Sequence, residues 1–244
     1  MIRAPVPRLA EGEQRLTGGL AHYLVRVLRL RGGDAFIAFD PASGSEADAV
    51  TVWADEEALT VRFGPVREGA RQQARAVTFV QGLAKGDKCD AVVRDATELG
   101  ATRIVVATTR RSVVKLDAAR AIERQARWAR IAQEAARQCG RSDAPHIDAP
   151  CPWAEALARI EPDAERFCLW ERATDALGPV LFAALAGGVP LAFACGPEGG
   201  LEDQEVELAR ASSWHVVSLG PLALRTETVA AAVLGAVRVW SGAV

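Results

Sequence analysis

Three loops in the C-terminal third of the chain carry the residue types best suited to hold a small ligand. The run Cys195-Gly196-Pro197-Glu198-Gly199-Gly200 follows the apolar segment LAFAC. Its glycines let a ligand approach the main chain closely, and Pro197 stiffens the turn. The next residues, LEDQEVELA, open a helix. Free N–H groups at a helix start bind phosphate, but Glu198, Glu202 and Asp203 repel an anion there. The loop therefore suits a neutral or cationic ligand held through backbone groups, the alternative being a plain strand-to-helix turn. It matches neither G-x-G-x-x-G nor a Walker A loop.

The second loop runs from Ser218, Leu219 and Gly220 through Leu222 and Leu224 to Arg225, Thr226, Glu227 and Thr228. Thr226 has the side chain of an N-cap, and Glu227 near a helix start complements the helix dipole. Arg225 has no such explanation, because a cation is unfavourable at the positive end of a helix; it is expected to serve a ligand or a nearby carboxylate. The third loop begins where FCLW, ending in Leu169 and Trp170, passes into Glu171-Arg172. Large rings such as Trp128 and Trp170 are expected to be buried in cores.

Other chemistries lack their residues. Cys89, Cys139, Cys151, Cys168 and Cys195 are an odd number with no C-x-x-C pair, and His22, His146 and His215 stand apart, so neither a disulfide framework nor a metal site is expected. Reduced thiols in a cytoplasmic protein are the simpler reading. No G-x-S-x-G elbow supports a hydrolase. No apolar run approaches the roughly 18 residues of a membrane span, and the first residues have no secretory h-region.

The elements that must position these loops are legible as patterns. AFIAFD, ADAVTVWAD and LTVRF read as strands of a small β-domain, and the polar stretch from Gly64 to Arg75 reads as a linker, which places a boundary near residue 70. After it, VTFVQGLA, RIVVATT, FCLW, LAFACG and HVVSLG alternate with helical segments, among them one over about Lys88–Leu99 and a long one over about Asp117–Cys139. Such alternation predicts a parallel, helix-covered α/β sheet, in which ligands bind where loops leave the carboxyl ends of strands.

A chain of 244 residues with 50% hydrophobic and 25% charged residues is an ordinary globular protein of one large or two unequal domains. Its formal net charge of -2 conceals an asymmetry. Residues 103–141 hold ten Lys/Arg against three Asp/Glu, residues 1–31 hold six Arg against two Glu, and residues 142–210 reverse the sign with thirteen acids against four bases. Lys85, Lys88 and Lys115 are the only lysines among the 29 basic residues. The two basic stretches read either as a surface facing a polyanion or as solvated helix faces.

CGPEGG together with SLGPLALRTET resembles the C-terminal signature of the SPOUT methyltransferases, and within them the RsmE-type enzymes that methylate uracil N3 of a uridine in small-subunit (16S) ribosomal RNA. HYLVRVLRLRGGD (His22–Asp34), KGDK (Lys85–Lys88), TELGA (Thr97–Ala101), RRSVVK (Arg110–Lys115) and EAARQCGR (Glu134–Arg141) follow in the same order as in that family. The family usually has arginine at Leu222, isoleucine at Ala223, alanine at Val229 and lysine at Asp95.

The resemblance implies an α/β fold: a PUA-like β-barrel domain over 1–70, then a SPOUT domain with a trefoil knot over 71–244. It implies a homodimer that binds S-adenosylmethionine, no metal, and small-subunit ribosomal RNA or the assembled 30S subunit as partner. The expected cofactor pocket comprises Leu169, Trp170, Glu171, Gly196, Pro197, Glu198, Gly199, Gly200, Ser218, Leu219, Gly220, Leu222, Leu224, Arg225, Thr226 and Thr228. Arg225, with Glu198 as a lesser partner, is the expected catalytic group; Arg3, His22, Arg29, Arg111 and Arg141 are the expected RNA contacts. A knotted enzyme acting on a ribose 2'-hydroxyl or another base is disfavoured by HYLVRVLRL and EAARQCGR, and a non-catalytic RNA-binding module by the intact cofactor loops.

Overall fold

The structure, a computed structural model, describes residues 2–55, 57–69 and 75–241. The centre of the Gly64–Arg75 linker lies outside the described residues. The chain divides into two compact units, Met1–Arg71 with Gln133–Ala144, and Gln72–Ala132 with Pro145–Val244.

The first unit is built on a six-stranded sheet. Its strands are β1 (Arg3–Pro5), β2 (Gly12–Thr17), β3 (Ala35–Asp40), β4 (Ser45–Ala54), β5 (Ala58–Phe63) and β6 (Arg67–Glu68), in the order β1-β3-β4-β5-β2 with β6 against β4. All pairings are antiparallel except β1 with β3. The three apolar segments read from the sequence are β3, β4 and β5, whereas the polar β2 (GEQRLT) carries almost no strand pattern and is held by its pairing with β5. Helix α1 (Gly18–His22) runs on into a π-helical turn, Tyr23–Val27. Leu24, Leu30, Phe36 and Phe63 close the core.

Residues 133–144, which the sequence places in the second domain, are held in the first unit by a charged cluster. The Ser142 hydroxyl donates to Glu46 at 2.7 Å, and Arg3 donates to both Glu46 and Ser142. Gly69 has no room for a side chain, since a Cβ there would lie 2.2 Å from Ser142. Burial alone would push the Glu46 carboxyl up, but its hydrogen bonds from Ser142 and Arg3, with the nearby charge of Arg67, hold it below the usual carboxylate range.

The second unit is the expected parallel α/β sheet. In chain order its elements are β7 (Val77–Gly82), α2 (Lys88–Glu98), β8 (Arg103–Thr108), α3 (Ala118–Cys139, whose last turns belong to the first unit), β9 (His146–Ile147), β10 (Cys151–Pro152), α4 (Trp153–Ala158), β11 (Glu165–Leu169), α5 (Leu177–Gly187), β12 (Leu191–Cys195), α6 (Asp203–Ala211), β13 (His215–Val217) and α7 (Thr226–Trp240). The strands run β10-β8-β7-β12-β11-β13, with β9 against β8, and every pairing is parallel.

Both faces of this sheet are buried, so its strands read as continuous apolar runs rather than alternating ones. Phe79, Ile104, Phe167 and Phe193 point to one face, where α2, α5 and α7 bring mostly small or branched residues such as Val92, Ala96, Ala230 and Val233. The other face carries Val80, Val105, Cys168, Ala192 and Ala194, and there Trp153 and Trp214 fill the space. On the first face the sheet supplies the phenylalanines and α3 adds Trp128, whereas on the other the covering segments supply the large rings, which keeps the packing dense. Burying each phenylalanine contributes roughly 1.5–3 kcal/mol. Trp128 is fully buried as expected, its indole N–H donating to Asp90 at 2.9 Å.

Candidate functional site

The carboxyl ends of β11, β12 and β13 and the start of α7 enclose a cavity of about 440 Å³. It is lined by Leu169, Trp170 and Glu171 from the loop after β11, Gly196 to Gly200 from the Gly-rich loop after β12, and Leu219, Gly220, Leu222, Leu224, Arg225 and Thr226 from the loop after β13. Ser218 and Thr228, predicted with them, are not in its wall: Ser218 gives its N–H to the Asp175 carbonyl and its carbonyl to the Leu177 N–H. Lys88, Cys195, Ala223 and Val229 also line the cavity, and sequence reasoning missed them. Lys88 comes from α2, distant in sequence; the others interleave with predicted residues.

The glycines of the 196–200 loop have distinct reasons. Only Gly200 takes a left-handed backbone, with φ +72, and the Glu171 carboxylate sits against it. A Cβ on Gly196 would lie 2.8 Å from the Gly200 carbonyl carbon, so the loop is too tightly wound for any other residue. Gly199 faces the Arg111 side chain, whose guanidinium donates to the Gly199 carbonyl at 2.8 Å.

Carboxylates of the segment itself occupy the start of α6. Glu202 and Glu205 form a reciprocal capping box, and Glu205 also accepts from the Arg110 N–H at 2.9 Å. A phosphate gains nothing at this helix end, which agrees with the charge argument from sequence. Glu198, expected to help position a reacting base, has other partners: it accepts from the Lys85 N–H at 3.3 Å and from Lys88 Nζ at 3.4 Å. Burial would raise its carboxyl, but these donors and its own N–H hold it below the usual range. It is a carboxylate at neutral pH that ties the loop to α2.

Thr226 is the first helical residue of α7, not its cap; the cap position belongs to Arg225 in an extended backbone. The Thr226 hydroxyl turns inward and donates to the Gly196 carbonyl at 2.8 Å. The exposed Arg225 side chain lines the cavity and makes no hydrogen bond or ion pair among the described residues, so no nearby carboxylate accounts for it. Leu222, standing where the resembled family has arginine, is 80% exposed at the cavity rim. Trp170 is only half-buried; the Arg172 guanidinium lies over its ring at 4.5 Å. Buried Cys195, in the wall, has its thiol pushed up to about 12 by desolvation and is no nucleophile.

Residues 71–238 match the RNA methyltransferase domain family, and residues 16–63 match the RNA methyltransferase PUA domain family. Ribosomal RNA small subunit methyltransferase E of Bacillus subtilis is 30% identical over 226 residues, covering 91% of this chain and 88% of that protein. The chain belongs to the methyltransferase E family. Its Synechocystis member is 32% identical over 93% of this chain and 73% of its own length. The crystal structure of the Neisseria gonorrhoeae methyltransferase E bound to S-adenosyl methionine superposes with a TM-score of 0.88 at 26% identity, covering 98% of this chain and 97% of that one.

The motifs that carry the resemblance acquire physical roles here. KGDK supplies the donors for Glu198, and RRSVVK supplies Arg110 and Arg111, which fasten the 198–205 segment. TELGA ends α2, and Arg238 of α7 donates to the Glu98 carbonyl. The predicted RNA contacts separate into two groups. His22, Arg29 and Arg111 are exposed. Arg141 is 1% exposed and paired with Asp143, and Arg3 is 15% exposed, paired with Glu46 and lying over the Phe39 ring. Arg141 and Arg3 are therefore structural cations of the first unit, a distinction that charge counting along the sequence does not make.

Proposed function

We propose that the protein transfers the methyl group of S-adenosylmethionine to N3 of a uridine in small-subunit ribosomal RNA. The observation that carries this reading is the cavity at the strand ends, whose wall combines backbone groups of a Gly-rich loop, carboxylates and a free Arg225. A sulfonium cation with an adenine fits such a wall: Leu169, Leu219 and Val229 offer apolar surface, Glu171 and Glu198 offer negative charge, and the loops offer main-chain donors and acceptors. When bound, the cofactor supplies an electrophilic methyl group. Membership of the methyltransferase E family and the cofactor in the Neisseria gonorrhoeae structure support the assignment.

Uracil N3 keeps its proton near neutral pH, so the nucleophile needs help to lose it. Arg225 orients the base, and its planar fork stabilises the negative charge that spreads over the two flanking carbonyl oxygens as the N3 proton passes to water. Glu198 holds the loop through Lys85 and Lys88 and keeps negative charge near the cation.

We also infer the trefoil knot and a homodimer. The knot is supported by the strand order, in which β12 lies between β7 and β11, and by the joining of Asp175–Leu177 to Ser218. The dimer is supported by α5 and α7: their inner sides bury Leu181, Ala230, Val233 and Val237, while Phe182, Val239 and Trp240 stay 53–74% exposed. Light scattering checks it; a species of only 26.0 kDa at micromolar concentration rejects the dimer.

Incubating purified protein with labelled cofactor and small-subunit RNA, followed by mass mapping, tests the reaction. A methyl group on a uracil base that leaves the adjacent phosphodiester open to alkali is expected. A product resistant to alkali at that position is a 2'-O-methyl group and points to the alternative knotted enzyme; no label in the RNA, nor in assembled 30S subunits offered in its place, leaves a binding module.

A further inference from the structure

The two cavity loops 196–200 and 219–226 come from different strands and are joined behind the wall by one side chain that is not part of it. Gln81, at the end of β7, is 1% exposed. Its amide nitrogen donates to the Thr226 hydroxyl at 2.8 Å and to the Gly82 carbonyl at 2.8 Å, with a longer reach of 3.4 Å to the Gly196 carbonyl. Its amide oxygen accepts from the Cys195 thiol at 3.3 Å. The Thr226 hydroxyl passes the chain on by donating to the Gly196 carbonyl at 2.8 Å. Every donor in this relay has an acceptor, and desolvation keeps Cys195 a protonated donor, its pKa pushed up to about 12. Next to it, a Cβ on Gly82 would lie 2.5 Å from the Pro197 nitrogen, so the end of β7 presses against the Gly-rich loop.

We propose that Gln81 is a positioning residue that sets the separation of the two loops: through Thr226 and Gly196 it fixes where the Gly-rich backbone stands relative to Arg225. Gln81 reaches no ligand in the cavity. It acts because a buried amide with all its partners in place locks one arrangement of the groups it bonds, while removing one partner strands the others. Arg225 and Thr226 are adjacent in the chain, so a shift of Thr226 moves the guanidinium.

The affinity part of the test rests on reading this cavity as the cofactor pocket; amide hydrogen exchange on the free protein does not. Gln81→Leu and Thr226→Val each are expected to speed exchange at residues 196–200 by at least about tenfold and to weaken S-adenosylmethionine by about tenfold in calorimetry. Thr226→Ser keeps the hydroxyl and is expected to leave exchange at residues 196–200 as slow as in wild type. The double variant Gln81→Leu/Thr226→Val is expected to bind no more weakly than the weaker single variant, because both break the same link. Unchanged exchange, multiplying effects, or a serine variant as defective as the valine one overturns the proposal. Should Gln81→Leu fail to fold, the valine and serine pair decides it. A wild type that binds no S-adenosylmethionine refutes the pocket, and exchange still decides the relay.

Discussion

At the scale of single residues, two arginines make separable predictions. Arg225 carries a charge at a helix start with no partner among the described residues, an arrangement that costs stability unless a ligand meets it. Arg225→Ala is expected to lower single-turnover methyl transfer about 100 to 1000-fold with the fold intact, and Arg225→Lys to recover little, because a point charge lacks the planar fork. A loss below about tenfold, under 1.4 kcal/mol, is too small for the role. Arg29 sits at φ +58, where a side chain crowds the backbone at a cost of about 1 kcal/mol, and its exposed guanidinium has no partner among the described residues. Arg29→Gly is expected to leave the melting temperature unchanged or raise it, while lowering the salt slope of RNA binding by about 1. A melting temperature that falls contradicts the strain at Arg29, and an RNA affinity that does not fall removes it from the contact surface.

At the scale of elements, the cavity depends on how closely β7, the Gly-rich loop and α7 approach. Gly82 ends β7 against backbone atoms of Gly196 and Pro197, which cannot swing away as a side-chain tip does. Gly82→Ala is expected to destabilise the second unit by about 1–3 kcal/mol, as overpacking does, and to abolish S-adenosylmethionine binding. Gly187, at the exposed end of α5, has nothing within 4 Å of an added Cβ. Gly187→Ala is expected to stabilise by about 0.5 kcal/mol with binding intact, since alanine loses less backbone freedom in a helix. Urea unfolding and calorimetry on the two variants check the contrast; equal effects would mean that close approach at Gly82 is not what shapes the loop.

At the scale of the whole molecule, each unit contains a carboxylate ringed by arginines, and both weaken in acid. Asp148 in the second unit accepts from Arg103 at 2.7 Å and Arg159 at 3.2 Å and is 6% exposed. Burial would raise its carboxyl, but Arg103 first, then the His146 and Arg159 charges, hold it below the usual range, as Ser142 and Arg3 do for Glu46 in the first unit. A carboxyl depressed in the folded state contributes stability above the ordinary carboxylate pKa, about 4, and that contribution is lost as pH falls through the depressed value. Asp148→Asn is expected to cost about 2–3 kcal/mol at pH 7, less than a fully buried pair because both guanidinium groups reach water. The difference from wild type should shrink below pH 4. Urea unfolding at pH 7 and pH 3 measures it, and a difference independent of pH contradicts the assignment.

The amino-acid sequence determined what local pattern can express. Apolar runs such as LAFAC and RIVVAT, alternating with helical stretches, specified a parallel sheet buried on both faces, and loops rich in glycine and charge at the strand ends marked the site. The polar strand β2 left no such mark, because its partner β5 rather than its own composition holds it in place. Tertiary structure alone decided which charges are buried. Arg141 and Arg111 look alike in a basic stretch, but burial beside Asp143 makes one structural, while the other reaches the Gly199 carbonyl at the surface. It also decided that Gln81, a polar residue inside an apolar strand, joins two loops more than a hundred residues away. Hydrogen bonds and ion pairs between distant segments follow from where the backbone brings them, and no period in the sequence encodes that distance.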